Sequence, residues 1–219
     1  MSLRDELKAE QENSTREWDE MAGVWDEQAA FYRDSLAEEL WDHVEFASER
    51  KDLVVLDFGC GSGLLTECLQ EEVGKVICID ASPAMMEKVF EKIRDYEWTN
   101  VEGFTAVLSE PDDHSDKVKD ALESLKGSVD LVVATSVLSF IPDLQGTLVA
   151  LKELLKPETG LLCHTDWPLD EEKAPDGFTE EKAIKMYEDA GLAMKSTSIV
   201  SIKMGEEEFP VFLGVAAKP

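Results

Sequence analysis

Ten consecutive residues constrain this chain more than any other feature: Val54-Val55-Leu56-Asp57-Phe58-Gly59-Cys60-Gly61-Ser62-Gly63. A strand-sized apolar run enters three alternating glycines and passes directly into Leu64, Leu65, Cys68 and Leu69, spaced as one face of a helix. A buried strand joined to a helix by a tight turn is the unit of α/β folds with a parallel sheet. Glycine permits positive φ and lets a ligand lie against the backbone, while the helix start offers free N–H groups. Such a turn also serves purely structural ends.

The rest of the chain repeats the alternation. Strand patterns recur at 75–79, 101–108, 129–134 and 161–165, with helical patterns at 83–96, 116–125, 144–155 and 179–190 between or after them. Ser82-Pro83 reads as an N-cap followed by proline at the first helical position. Two late strand patterns, 194–202 and 209–217, are close enough to pair antiparallel. This order predicts a mostly parallel seven-stranded sheet, helices on both faces, and an antiparallel late strand at or near one edge. Residues 1–45 are helical in pattern, hold Trp18, Trp25 and Trp41, and are too short for a domain. They read as an N-terminal helical cap on a core spanning 46–219.

The 219 residues carry 48 acids against 21 bases, a formal charge of −27. The acids are spread along the whole length: 15 acids and 5 bases over residues 1–50, 20 and 10 over 51–156, 13 and 6 over 157–219. Phosphate binding needs a cationic face, so nucleic acid is excluded as a partner. Anionic membranes are excluded on the same ground, and no run is long enough to span a bilayer. Cys60, Cys68, Cys78 and Cys163 form no C-x-x-C pair, and His43, His114 and His164 are scattered, so no metal site is expected. Free thiols and the absence of a leader-like apolar stretch fit a cytoplasmic protein.

Asp80 ends the second strand pattern, 17 residues after Gly63. A carboxylate there can accept hydrogen bonds from ribose hydroxyls; it can equally stabilise the helix start that follows. Paired with the glycine turn, ribose binding is favoured. A dinucleotide fingerprint G-x-G-x-x-G would need glycine where Leu64 stands. The loop is D-x-G-x-G-x-G instead. Asp57-Phe58-Gly59-Cys60-Gly61-Ser62-Gly63 resembles the first motif of the class I S-adenosylmethionine-dependent methyltransferases, and Val76 to Met86 resembles their second. Asp130 to Leu138, Leu154-Leu155-Lys156-Pro157 and the closing Phe212 to Pro219 strand are similar to later parts of the same family, so the likeness covers about residues 15–219.

That resemblance implies a Rossmann-like fold, S-adenosyl-L-methionine as cofactor and S-adenosyl-L-homocysteine as product. It implies that the backbone of Gly59, Cys60 and Gly61 passes under the methionyl part, and that Asp57 orients the loop and the cofactor's ammonium. Asp80 would hold the ribose, Ala81 and Met85 would flank the adenine, and Val107 and Leu108 would meet its edge. Ser136 and Val137 would lie along the methionyl chain. Many relatives have an acid where Val107 stands, so a backbone group, Asp112 or Asp113 is expected to meet the adenine amine. Trp25 belongs to a stretch, Trp18 to Asp26, that resembles the cap of small-molecule members. Its rings can exclude water and attract a sulfonium, or simply dock a helix. Tyr32, Phe140, His164 and Trp167 are candidate acceptor-pocket residues, and no catalytic base is singled out. The implied acceptor is a small molecule. A basic protein partner, or binding without catalysis, are the alternatives.

Overall fold

The run Val54–Phe58 forms β1 with Val55 and Leu56 fully buried, because a central parallel strand is covered on both faces and tolerates little but apolar side chains. Lys75–Asp80 (β2), Val101–Thr105 (β3), Leu131–Thr135 (β4) and Leu161–Asp166 (β5) extend the same parallel sheet. Ala193–Met204 (β6) and Glu207–Ala217 (β7) complete it. The computed structural model describes residues 2–204 and 207–219, the side chains of residues 31 and 204 apart.

The strand order is β3-β2-β1-β4-β5-β7-β6, with β7 antiparallel to both neighbours. The order reverses between β1 and β4, and in open α/β sheets the crevice beyond the carboxyl ends at that switch point is where ligands bind. The expected antiparallel late strand is β7, one place in from the edge.

Side chains alternate along each strand, so each face of the sheet builds its own core. Leu56, Phe58, Ile77, Ile79 and Val132 meet helices α6 (Asp116–Leu125), α7 (Leu144–Leu154) and α8 (Glu180–Asp189). Val55, Val76, Cys78, Leu131 and Val133 meet α3 (Arg33–His43), α4 (Leu64–Glu72) and α5 (Pro83–Asp95). Each fully buried Leu or Ile contributes about 1.5–3 kcal/mol, which makes this double core the rigid platform for the loops above it. The Ser82-Pro83 signal is realised: Ser82 caps α5, and its Oγ accepts from the Met85 N–H at 3.0 Å.

Before β1 come α1 (Leu3–Met21), a short α2 (Trp25–Ala29) and α3. Helix α1 contains no buried residue and packs along α5. The strand expected over 101–108 stops at Thr105, because its only neighbour β2 ends opposite it at Asp80. Residues 106–108 then turn away and become a wall. The helix that follows the glycine turn starts at Leu64, since Gly63 is left-handed at φ +82°. Among the described residues no helix is long and apolar enough to cross a membrane.

Candidate active site

Chain direction must change abruptly after Phe58, and Gly59, Gly61 and Gly63 do this with φ of +66°, +55° and +82°. Gly59 is also sterically required, since a Cβ there would sit 2.3 Å from Cγ2 of Val137. The turn leans toward β2: the N–H groups of Gly59 and Cys60 donate to the Ile79 carbonyl at 2.7 and 3.3 Å. Gly61 N–H donates to Oδ2 of Asp80 at 2.8 Å, and Ser82 N–H donates to Oδ1 at 2.8 Å. Burial pushes the Asp80 carboxyl up, and these backbone donors pull it back toward the ionised form. A carboxylate has about four lone-pair sites. Each oxygen accepts one of these backbone hydrogen bonds, and the carboxylate keeps acceptor capacity where it lines the cavity.

Asp57 lies beneath the turn, almost wholly buried. Burial pushes its carboxyl up to about 6; the hydrogen bond from Thr66 Oγ1 to Oδ2 (2.6 Å) opposes this, and the charge of Asp80 adds to it. A buried carboxyl poised near neutrality favours a cation placed against it.

Ala106, Val107 and Leu108 form one wall. The Val107 carbonyl accepts from Glu110 N–H at 3.0 Å and bonds His114 Nε2 at 2.8 Å. Asp112 and Asp113, expected as partners for an adenine amine, turn to the surface and pair with Arg4 at 2.9 Å and Lys8 at 2.5 Å. They do not line the cavity. On the opposite side Ser136 holds φ +51°, an unusual angle for a side chain of its kind, and its N–H donates to the Thr165 carbonyl at 2.7 Å.

The cap closes the top. Trp25 Nε1 lies 3.4 Å from where a Cβ on Gly61 would stand. Trp18 meets Trp25 edge-on at 5.2 Å and Phe140 edge-on at 5.4 Å. Two carboxylates latch the cap to the turns below. Asp19 Oδ1 accepts from Ser82 Oγ at 2.5 Å and from Ala84 N–H at 3.1 Å; Asp26 accepts from Ser62 Oγ and pairs with Lys92 at 3.0 Å.

All twelve residues expected at the cofactor line this one cavity: Trp25, Asp57, Gly59, Cys60, Gly61, Asp80, Ala81, Met85, Val107, Leu108, Ser136 and Val137. Tyr32 and Phe140 line it too, and burial pushes the Tyr32 hydroxyl up to about 12. His164 and Trp167 do not. His164 lies inside β5 on the same face as Leu162, and it faces Phe178, Tyr187 and Phe212 in the core. Its Nδ1 bonds the Tyr187 hydroxyl, and among the described residues its buried Nε2 has no hydrogen-bond partner. Burial, with a smaller push from Lys182, lowers its pKa to about 3. Trp167 begins a segment drawn toward α8, where its carbonyl accepts from Phe178 N–H at 2.8 Å.

Sequence reasoning missed Gln11, Ser14 and Arg33, which also line the cavity, and the two latches. The dipeptide Trp-Asp stands at both latches, 18–19 and 25–26, but it recurs at 41–42 and so does not mark them in the sequence.

Residues 56–162 match the model of a family described as methyltransferase domain. The mitochondrial ubiquinone biosynthesis O-methyltransferase of Bos taurus is 30% identical over 174 residues, covering 74% of this chain and 43% of that protein. The chain spans about half the length of the curated relatives it matches. A SAM-dependent methyltransferase from Aquifex aeolicus superposes with TM-score 0.65 at 21% identity, covering 92% of this chain and 97% of the other. Magnesium protoporphyrin IX methyltransferase from Synechocystis PCC 6803, solved with bound SAM, superposes with TM-score 0.60 at 19% identity over 85% and 78% of the two chains.

Proposed function

We propose that the chain is a class I S-adenosylmethionine-dependent methyltransferase and that it methylates a small, neutral or cationic acceptor; its match to a methyltransferase-domain family over residues 56–162 supports the reading. One observation carries the reading. Twelve residues scattered between positions 25 and 137 converge on a single cavity at the sheet's switch point, under an aromatic cap.

The residues fit the cofactor. Gly59 leaves the backbone bare where a side chain could not stand. Asp80 keeps acceptor capacity, and Asp57 offers a carboxyl that a nearby cation would ionise. When bound, S-adenosylmethionine supplies an already activated methyl group, so an in-line acceptor needs alignment more than chemical assistance. Trp18, Trp25 and Phe140 exclude water and present ring faces to positive charge. Gln11, Ser14 and Tyr32 are the uncharged polar groups of the cap able to orient an acceptor. We take residues 1–45 as the cap and 46–219 as the core, working in the reducing cytoplasm that suits four free cysteines.

The test is a methyl-transfer screen with labelled S-adenosylmethionine over phenols, quinone precursors, amines and basic peptides. Product on small molecules supports the reading. The acidic surface favours one second reading, a basic protein substrate, and product on peptides alone would establish that instead. No product on either, with S-adenosylhomocysteine still bound, would leave a cofactor-binding protein.

A further inference from the structure

The loop after β4 carries cavity residues Ser136, Val137, Phe140 and Ile141, yet it begins with a strained residue and holds a largely exposed ring. Ser136 at φ +51° is strained for a residue with a side chain, and such a conformation persists only where surrounding contacts over-determine it. Phe140 is 46% exposed and gains little from burial. Something must hold both in place.

Two consecutive residues at the end of β5 do so. The Thr165 carbonyl accepts from Ser136 N–H at 2.7 Å. The Asp166 carboxylate is 1% exposed: its Oδ1 accepts from Ser139 Oγ at 3.0 Å and Trp167 N–H at 2.9 Å, and its Oδ2 is 3.3 Å from Ser139 N and 3.2 Å from the same hydroxyl. All the groups facing it are donors, and an ionised carboxylate is the side chain that only accepts. Ser139 adjoins Phe140, Phe140 meets Trp18, Trp18 meets Trp25, and Trp25 covers Gly61.

We propose that Asp166 is a positioning residue for the acceptor side of the cavity, holding Phe140 against the cap through Ser139. The carboxylate touches neither cofactor nor acceptor. It fixes the 137–141 loop, and that loop sets the width of the arch between Phe140 and Trp18. The inference rests on the reading of this cavity as a methyl-transfer site.

The test uses the full chain labelled with 5-fluorotryptophan, with the Trp18 ¹⁹F resonance assigned by its loss in Trp18→Phe. Phe140→Ala defines the shift caused by removing the ring from Trp18. Ser139→Ala and Asp166→Ala are expected to move the Trp18 resonance in the same direction and broaden it, leaving Trp41 and Trp98 in place. S-adenosylhomocysteine affinity should stay within about threefold. Asp166→Asn turns an amide donor toward another donor and should give an intermediate shift. A Trp18 resonance unmoved in Ser139→Ala overturns the proposal, whatever happens to melting temperature, and this variant decides the matter if Asp166→Ala does not fold. Failure of the unmodified protein to bind S-adenosylhomocysteine would instead sink the cofactor reading. The ligand-free spectrum tests the clamp regardless.

Discussion

Asp57 offers the sharpest quantitative test. Its carboxyl sits at about 6 in the ligand-free protein, chiefly because burial penalises the charge. If its role is to face the cofactor's ammonium, binding selects the ionised form, and affinity must fall as that form is titrated away. At pH 7 about nine-tenths of the molecules are ionised; at pH 5 about one-tenth are. The expected loss between those values is about tenfold in Kd, or ~1.4 kcal/mol. S-adenosylhomocysteine is the ligand of choice, because it keeps the ammonium and lacks the reactive methyl. Calorimetry at constant ionic strength gives the affinity. Repeating it at pH 6 in buffers of different ionisation enthalpy counts the roughly half proton released. Asp57→Asn keeps an oxygen for the Thr66 hydroxyl and removes the charge. It should weaken binding about tenfold or more at pH 7 and flatten the profile. A flat profile in the unmodified protein refutes the ammonium role, and so does an undiminished slope in Asp57→Asn.

Gly59→Ala combines a left-handed φ with a Cβ 2.3 Å from Val137, so denaturant unfolding should show a loss of about 2–4 kcal/mol and calorimetry no measurable cofactor binding; near-normal affinity would contradict the close approach. Asp80→Ala removes the brace on Gly61 and the ribose acceptors together, and should weaken S-adenosylhomocysteine by about 1–3 kcal/mol, an unchanged Kd removing the ribose role. His164 has a folded pKa of about 3 against about 6.5 unfolded, so its contribution is complete above pH 6.5 and is lost at ~1.4 kcal/mol per unit as pH falls toward 3. Asp57 acts in the opposite sense, stabilising as pH falls below 6, so the measurement is the difference in urea stability between wild type and His164→Phe at pH 6.5 and 5.5, and equal slopes would refute the assignment. Finally, S-adenosylmethionine carries one net positive charge and S-adenosylhomocysteine none, so raising salt should weaken the first more than the second in a chain of charge −27; equal responses would show that the protein's field does not reach the cavity.

The glycine turn and Asp80 were readable in the sequence because each answers to a local constraint: positive φ and bare backbone in one case, the carboxyl end of a buried strand in the other. Seven strands and their order of hydrophobic runs were readable for the same reason. His164 was misplaced because a residue inside the strand pattern was read as if it stood at the ligand edge. Side chains alternate faces, so the imidazole shares the face of Leu162 and turns into the core beside Phe178. Asp112 and Asp113 were misplaced because their partners, Arg4 and Lys8, lie over a hundred residues earlier on a surface helix. No local pattern reports such a pairing. The latches of Asp19 and Asp26 depend likewise on where α1 and α2 come to rest, which tertiary packing determines.

The charge of −27 looks at first like a property of the surface alone, since the acids are spread through cap, core and late strands. The structure separates two populations. Some exposed acids pair with neighbouring lysines, as Asp189 does with Lys185 and Glu123 with Lys126, and such pairs contribute little to stability. A smaller set does different work: Asp57 and the half-buried Asp80 at the glycine turn, and buried Asp166 behind the loop after β4. Asp19 and Asp26 extend that set by fastening the cap to Ser82, two residues after Asp80, and to Ser62, next to Gly61. Negative charge therefore lines the cavity at Asp57 and Asp80 and fastens its lid at Asp19 and Asp26, and among the described residues Arg33 is the one cation along its lining. That arrangement opposes an anionic acceptor both in the approaching field and at contact, which is the physical basis for placing neutral and cationic acceptors first.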